Sequence, residues 1–401
     1  MARRPTSDPT IGERIRFRRQ LRGWTVRYAA DRAGISHSSW SRVERGLMTA
    51  DNRFVIADIA AALECPVAQL TGRPAPGPGT AAVAAQASVV GIRQALVEAE
   101  LTEDPVADPR PLPQLAEEAA LVADLRRRCD YVGAGGLLPR LIREVHAAAH
   151  GPGSRDALRL LVEVTYATCG VVRYVATPAE SWLAAERCWQ AAQALGEPVY
   201  LARALYERAH AATGCGSYSR GVAMARRGVN TLDGHTDTSG ALEMLGQLYL
   251  TVAFAALGDH QTSDAAELVT EAERIAERTG ETGTLGLMFG PTNVRFWRIA
   301  METDGGDPGR AVEIAAETNP SLVDSPSRQV AFHTDTARAL ARVRRDREAI
   351  RHLTAAERIS PVRVHTSPIV RETARGLLDR AQRRAGGMEL RALCERMNIP
   401  V

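Results

Sequence analysis

Lysine is absent from this chain, and all 50 basic residues are arginine. Arginine codons rich in G and C account for that, so no function is read from it. Aromatic residues make up only 5% of the chain, and strictly alternating β-branched runs, the mark of half-buried strands, are missing. Ala, Leu, Arg and Glu dominate instead, which reads as all-α. The six cysteines (Cys65, Cys129, Cys169, Cys188, Cys215 and Cys394) are scattered, with no CxxC pair and no histidine at ligand spacing. That argues against a disulfide framework or a zinc site and for reduced thiols in a cytoplasmic protein. The opening MARRPTSDPT has no apolar stretch behind its arginines, as a secretory signal would. No uncharged apolar run approaches the length of a bilayer span, so no membrane partner is expected.

Catalytic signatures are missing too. No HExxH, GxSxG or paired Cys/His arrangement occurs. The glycine-rich Tyr131-Val-Gly-Ala-Gly-Gly136 lacks the lysine of a phosphate-binding loop and follows no strand, so it reads as a turn between helices. Acidic pairs such as Glu117-Glu118 fit solvated helix surfaces. The expectation is a protein that is not an enzyme and carries no cofactor or metal.

What is present is an asymmetry of charge. Residues 1–73 hold 13 Arg against 7 acidic residues, whereas residues 74–401 hold 37 against 40. A basic block on a near-neutral body suggests that one unit meets a polyanion and the other does not. The 401 residues also exceed one ordinary core and suit two or three units.

The basic block divides into short helices. Ile11 to Arg22 forms the first, with Ile11, Ile15 and Leu21 inward, and Gly23 stops it. Thr25 caps a second, Val26 to Ala33, which Gly34 ends; Ser36 caps a third, His37 to Arg45, which Gly46 ends. A fourth spans Arg53 to Leu63, and a last turn covers Pro66 to Leu70. Two short helices joined through Ala33-Gly34-Ile35-Ser36 match the helix-turn-helix signal. The second of them projects its amino-terminal end outward, where side chains reach base edges in a major groove.

The stretch Thr25 to Gly46 resembles the XRE family of phage-repressor and Cro-like regulators. Ala30, Gly34, Ile35, Ser36, Ser41, Val43, Glu44, Arg45 and Gly46 stand where that family's pattern expects them, within a match over residues 11–72. The resemblance implies a lambda-repressor-like domain on a double-stranded DNA operator. It makes His37, Ser38, Ser39 and Arg42 the base readers, and Thr25, Arg27 and Arg53 the phosphate contacts. Trp40 takes the inward position and Glu44 pairs with an arginine of the first helix. One departure stands out: Val26 replaces a frequent Gln, so the docking is shifted or Arg27 substitutes.

Gly72 to Gly79 packs three prolines and three glycines into eight residues, a domain boundary. Ala81 to Glu100 reads as a helix that dimerises or links, and a second proline-rich break runs from Asp104 to Pro113. The chain is thus divided into a DNA-binding unit (1–71), a linker with one helix (72–113) and a helical body (114–401). In the body, helices alternate with short turns. Taking Ala223, Ala265, Ala311 and Ala349 as equivalent gives offsets of 42, 46 and 38. These exceed the roughly 34 residues of a strict tetratricopeptide repeat (TPR), so the expectation is TPR-like hairpins with longer helices.

Phe289-Gly-Pro-Thr-Asn-Val294, Ser325-Pro-Ser-Arg328 with His333-x-Asp335-x-Ala-Arg338, and Ala355-Ala-Glu-Arg358 with Val370-Arg371-Glu372 are similar to the carboxy-terminal repeats of large actinobacterial XRE-type regulators. That resemblance implies a TPR-like sensor domain, lined along a concave groove, for a signalling peptide or small molecule. Asn293, Trp297, Arg328, His333 and Arg371 are its candidate ligand residues. The expected protein is a homodimeric transcription regulator on a near-palindromic operator. The alternative is a DNA-tethered interaction scaffold controlled by a partner protein.

Overall fold

Side-chain oxygens open the first four helices. Thr10 starts α1 (Ile11–Leu21) by accepting from the Glu13 amide at 3.1 Å, while Glu13 accepts from the Thr10 amide at 2.7 Å. Thr25, Ser36 and Asn52 do the same for α2 (Val26–Arg32), α3 (His37–Glu44) and α4 (Arg53–Ala62), and α5 (Val67–Thr71) follows Pro66. These bounds agree with the sequence reading to within a residue or two. Leu21 does not: it is 64% exposed. Six residues beyond Ile15, it sits about 240° around the helix from the buried stripe.

The computed structural model describes residues 9–72, 80–105, 108–151, 154–382 and 387–401. Most of the first proline-glycine boundary (73–79) and part of the second (106–107) lie outside the described residues. The described residues are 76% helical, and among them no strand occurs beyond one isolated bridge, Thr282 to Phe289. The all-α expectation holds.

After α6 (Ala81–Glu98), α7 (Leu112–Arg127) and α8 (Tyr131–Ala149), the body proceeds as helix hairpins. These are α9 (Ser154–Val175) with α10 (Pro178–Leu195), α11 (Pro198–Gly214) with α12 (Tyr218–Thr231), α13 (Ala241–Gly258) with α14 (Ala265–Thr279), α15 (Pro291–Gly305) with α16 (Pro308–Ala316), and α17 (Pro326–Arg342) with α18 (Asp346–Ile359). The short α19 (Pro361–Thr366), α20 (Pro368–Gln382) and α21 (Met388–Arg396) complete the chain. The first helix of each hairpin also packs on the first helix of the next, which stacks the pairs.

Several expectations change here. Tyr131 to Gly136 is no turn; it opens α8, with Asp130 accepting from the Gly133 amide at 2.9 Å. Ala223 is exposed, and the inward alanine of α12 is Ala225, whereas Ala265, Ala311 and Ala349 are buried as expected. α6 is more than a link, because its Val89, Ile92 and Leu96 enter the main core against α8. Among the described residues one helix, α13, is long and apolar enough by length and composition to cross a bilayer, although Glu243 interrupts its apolar run. Its apolar surface is spent on neighbouring helices: 67% of the window is buried, and it packs on α11, α12, α14 and α15.

The stack closes on itself at its ends. The carboxy-terminal helices return to the first ones, with α19 on α6 and α9 and α17 on α7. The Thr366 hydroxyl donates to the Tyr174 carbonyl (2.9 Å) and Arg127 to the Asp324 carbonyl (3.0 Å). The amino-terminal unit covers one side of the enclosed interior. Phe54 of α4 meets Tyr218 edge-on (centroids 5.3 Å apart) and Phe254 at 5.1 Å.

An ionic cluster joins the two units beside this aromatic contact. Asp304 of α15 accepts from the Arg53 amide (3.1 Å) and from the Arg53 guanidinium (2.6 Å), and it is also bonded to Arg338. Arg53 reaches Asp335 (2.6 Å), Arg338 pairs with Asp335 (2.8 Å), and Arg342 pairs with Asp51 (2.9 Å). Three guanidinium groups thus meet three carboxylates. Burial alone would raise the Asp304 pKa, but Arg338 and Arg53 overcome it and hold the carboxyl well below the usual range. The Arg338 and Asp304 side chains are wholly buried. Removing one partner strands the other charges in a dry site, so Arg338→Met should cost about 3–5 kcal/mol in chemical denaturation of the full chain.

Candidate nucleic-acid interface

α3 is held by a bidentate ion pair. Glu44, at the end of α3, accepts from Arg19 Nε (2.6 Å) and Nη2 (2.8 Å), and from the Trp40 indole N–H. Arg19 also donates to the Trp24 carbonyl at 2.6 Å, tying α1 to the start of α2. Hydrogen bonding to Glu44 outweighs burial and raises the Arg19 pKa, so this cation is permanent. Trp40 is fully buried, as expected of an inward residue. Gly34 turns the chain between α2 and α3 with φ +65°, a conformation that side chains disfavour.

Packing one face of α3 inward turns the other out. His37, Ser38 and Arg42 stand exposed along it, and Ser39 is half-buried with its hydroxyl accepting from Ser36 at 2.8 Å. Thr25 and Arg27 are exposed at the start of α2, whereas Val26 packs against the unit's core. Five of the seven residues read from sequence are thus exposed on α2 and α3 or their caps, and Ser39 is half-buried. The exception is Arg53. Its guanidinium and its amide are both engaged by the body, and Asp304 occupies the anion position at the start of α4.

The candidate ligand residues fall into three places. Asn293, Trp297 and Arg328 converge in the interior. Asn293 is wholly buried, donates to Gln247 (3.1 Å) and accepts from Arg328 Nε (2.8 Å), while the Arg328 guanidinium lies 5.7 Å from the Trp297 ring. Gln247 continues the chain by donating to the Tyr206 hydroxyl at 3.2 Å. Asn293 thus joins α13, α15 and α17. His333 is elsewhere, 3.1 Å from His352 between α17 and α18, and burial pushes its pKa down to about 4. Arg371 is elsewhere again: it is buried and donates to the carbonyls of Met397 and Asn398, closing the carboxy-terminal segment.

Sequence reasoning missed Asp51, Asp304 and Asp335, which set the position of the DNA-binding unit. Acidic residues in helices carry no mark of a partner some 250 positions away; only Asp335 and Arg338, three apart on α17, could have been paired in advance. Among the described residues, no group of three His, Cys, Asp or Glu side chains could hold a metal ion.

No curated protein matches the chain. Residues 10–72 match the family model of a helix-turn-helix domain, the span from the Thr10 cap to the end of α5, and this amino-terminal unit is a helix-turn-helix DNA-binding domain.

Proposed function

We propose that the protein is a cytoplasmic, non-enzymatic transcription regulator of XRE type. In this reading it acts as a homodimer on a near-palindromic operator, and its TPR-like body senses a small ligand. The observation that carries the reading is the exposed face of α3, where His37, Ser38 and Arg42 project beyond a helix locked from behind by Arg19 and Glu44. One small unit offers too little contact for useful affinity, which favours two. A seam for the second copy is suggested by α6, whose Val83, Val90 and Val97 stand exposed at seven-residue spacing on one side of the helix.

The body then acts by fixing where the DNA-binding unit points. With Asp304 seated on the start of α4, the same backbone amide and guanidinium cannot hold a phosphate. Docking and a phosphate contact at Arg53 exclude each other, which gives the body a means of changing DNA affinity.

Selection from random operators tests the base readers. Arg42→Ala should relax preference at one position per half-site, a loss of about 1–3 kcal/mol of discrimination, and unchanged preference would sink the assignment. The salt dependence of DNA binding tests the docked state. Arg53→Ala should leave its slope unaltered if the body stays docked. If the body lets go on DNA, the slope should fall by about 0.9 for each phosphate that Arg53 would have neutralised. Light scattering tests the seam, since Val90→Asp should convert the dimer to monomer.

A further inference from the structure

The interior holds more positive charge than its own carboxylates answer. Between the DNA-binding unit and the body lies a cavity of about 480 Å³, within the range of small-molecule sites. Ile56, Ala57 and Val67 form its wall on the DNA-binding side. Arg173, Tyr174, His210 and Arg363 line it from the body.

Arg173 is answered by Glu207. Arg363 differs, with a thiol and phenols and no carboxylate among the groups that act on it. Its guanidinium lies 3.9 Å from the Tyr174 ring and donates to the hydroxyl and carbonyl of Ser327; among the described residues no carboxylate pairs with it. Arg328, just behind in the Asn293 cluster, likewise has no carboxylate partner among the described residues, and burial lowers its pKa. The His210 Nε2 atom is buried without a hydrogen-bond partner among the described residues. Buried polar groups ordinarily find partners, so an unpaired ring nitrogen that lines the same cavity as a guanidinium without a carboxylate marks a place for one.

The neighbouring groups report the same field. Burial drives the His210 pKa well below its ordinary value, with Arg173 and Arg328 adding to the effect, so the ring is neutral. Burial would raise the Tyr174 phenol, yet Arg363, Arg173 and Arg328 together bring it below its ordinary value.

We propose that this cavity binds a small organic monoanion, a carboxylate on a mostly apolar frame, with its acid group at Arg363 and His210 and its frame against Ile56, Ala57 and Val67. The proposal rests on the regulator reading and supplies that reading with a ligand class and a site. It moves the site away from Asn293 and Trp297, whose polar and ring contacts hold the hairpins together. An occupant that touches both walls binds only the docked arrangement and stabilises it by mass action. By reciprocity, DNA and ligand then alter each other's affinity by the same factor.

Calorimetric titration of the full chain with decanoate, decanol and decylamine tests this without DNA. Decanoate should bind at least tenfold more tightly than decanol, and decylamine most weakly. Arg363→Gln should bring decanoate and decanol to near parity while decanol binding persists. Ser181→Trp, which fills the cavity from α10, should abolish both, with circular dichroism verifying its fold. Should Ser181→Trp not fold, the decanoate-to-decanol ratio in Arg363→Gln decides alone. Equal binding of decanoate and decanol by the wild-type chain, or decanoate binding unchanged in Arg363→Gln, overturns the proposal. Operator selection that survives such a failure would leave the regulator reading standing. Decanoate binding without any operator preference would instead remove that reading and keep the site.

Discussion

The carboxylate of Asp304 is the point on which the arrangement of the two units depends. It is wholly buried, and it stays charged because Arg338 reaches it from α17 and Arg53 from the DNA-binding unit. A buried ion pair is a weak source of net stability but a strict geometric constraint, because misplacing any member leaves charge in a dry site. Each unit brings equal numbers of acids and arginines, Asp51 and Arg53 from one and Asp304, Asp335, Arg338 and Arg342 from the other, and the pairs cross between them: Arg53 bonds Asp304 and Asp335, and Arg342 bonds Asp51. Register between the units is therefore set by charge, while the Phe54, Tyr218 and Phe254 contact beside it supplies apolar burial without direction.

A second lock works inside the DNA-binding unit and is independent of the first. Arg19, Glu44 and Trp40 fasten α3 to α1 through contacts made wholly within the unit. The division of labour follows from this. One ion pair preserves the shape of the helix-turn-helix unit, and the Asp304 cluster decides where that unit stands. α4 belongs to both systems, with Ile56 and Ile59 in the unit's own core and Arg53 and Phe54 turned to the body.

The body shows why a stack of hairpins can be enclosed and still polar within. Its inner helices carry Tyr206, Gln247, Asn293 and Arg328, which bond in sequence across four hairpins and satisfy one another where water is excluded. That chain consumes the side-chain amides that a peptide groove would have offered. Unanswered polarity is left nearer the DNA-binding unit, around Arg363 and His210.

Local rules made the amino-terminal unit legible. Thr10, Thr25, Ser36 and Asn52 each satisfy orphan amides a few residues away, and Gly34 supplies the left-handed turn, so helix starts and the exposed reading face follow from neighbours in the chain. That Glu44 pairs with an arginine of the first helix was also legible, whereas which of that helix's arginines it takes, Arg19, came from the structure. Leu21 and Ala223 were misplaced where a buried stripe was extended by composition and not by angle. The all-α class, the helix pattern and the basic character of residues 1–73 belong to the sequence alone, since propensity, capping and net charge act over a few residues or none. The return of α19 onto α9, the engagement of Arg53 by Asp304 and the cavity beneath α4 were decided only by the tertiary structure. Each depends on groups some 190 to 300 positions apart, and a charge or an apolar face in a sequence does not name the partner that will answer it.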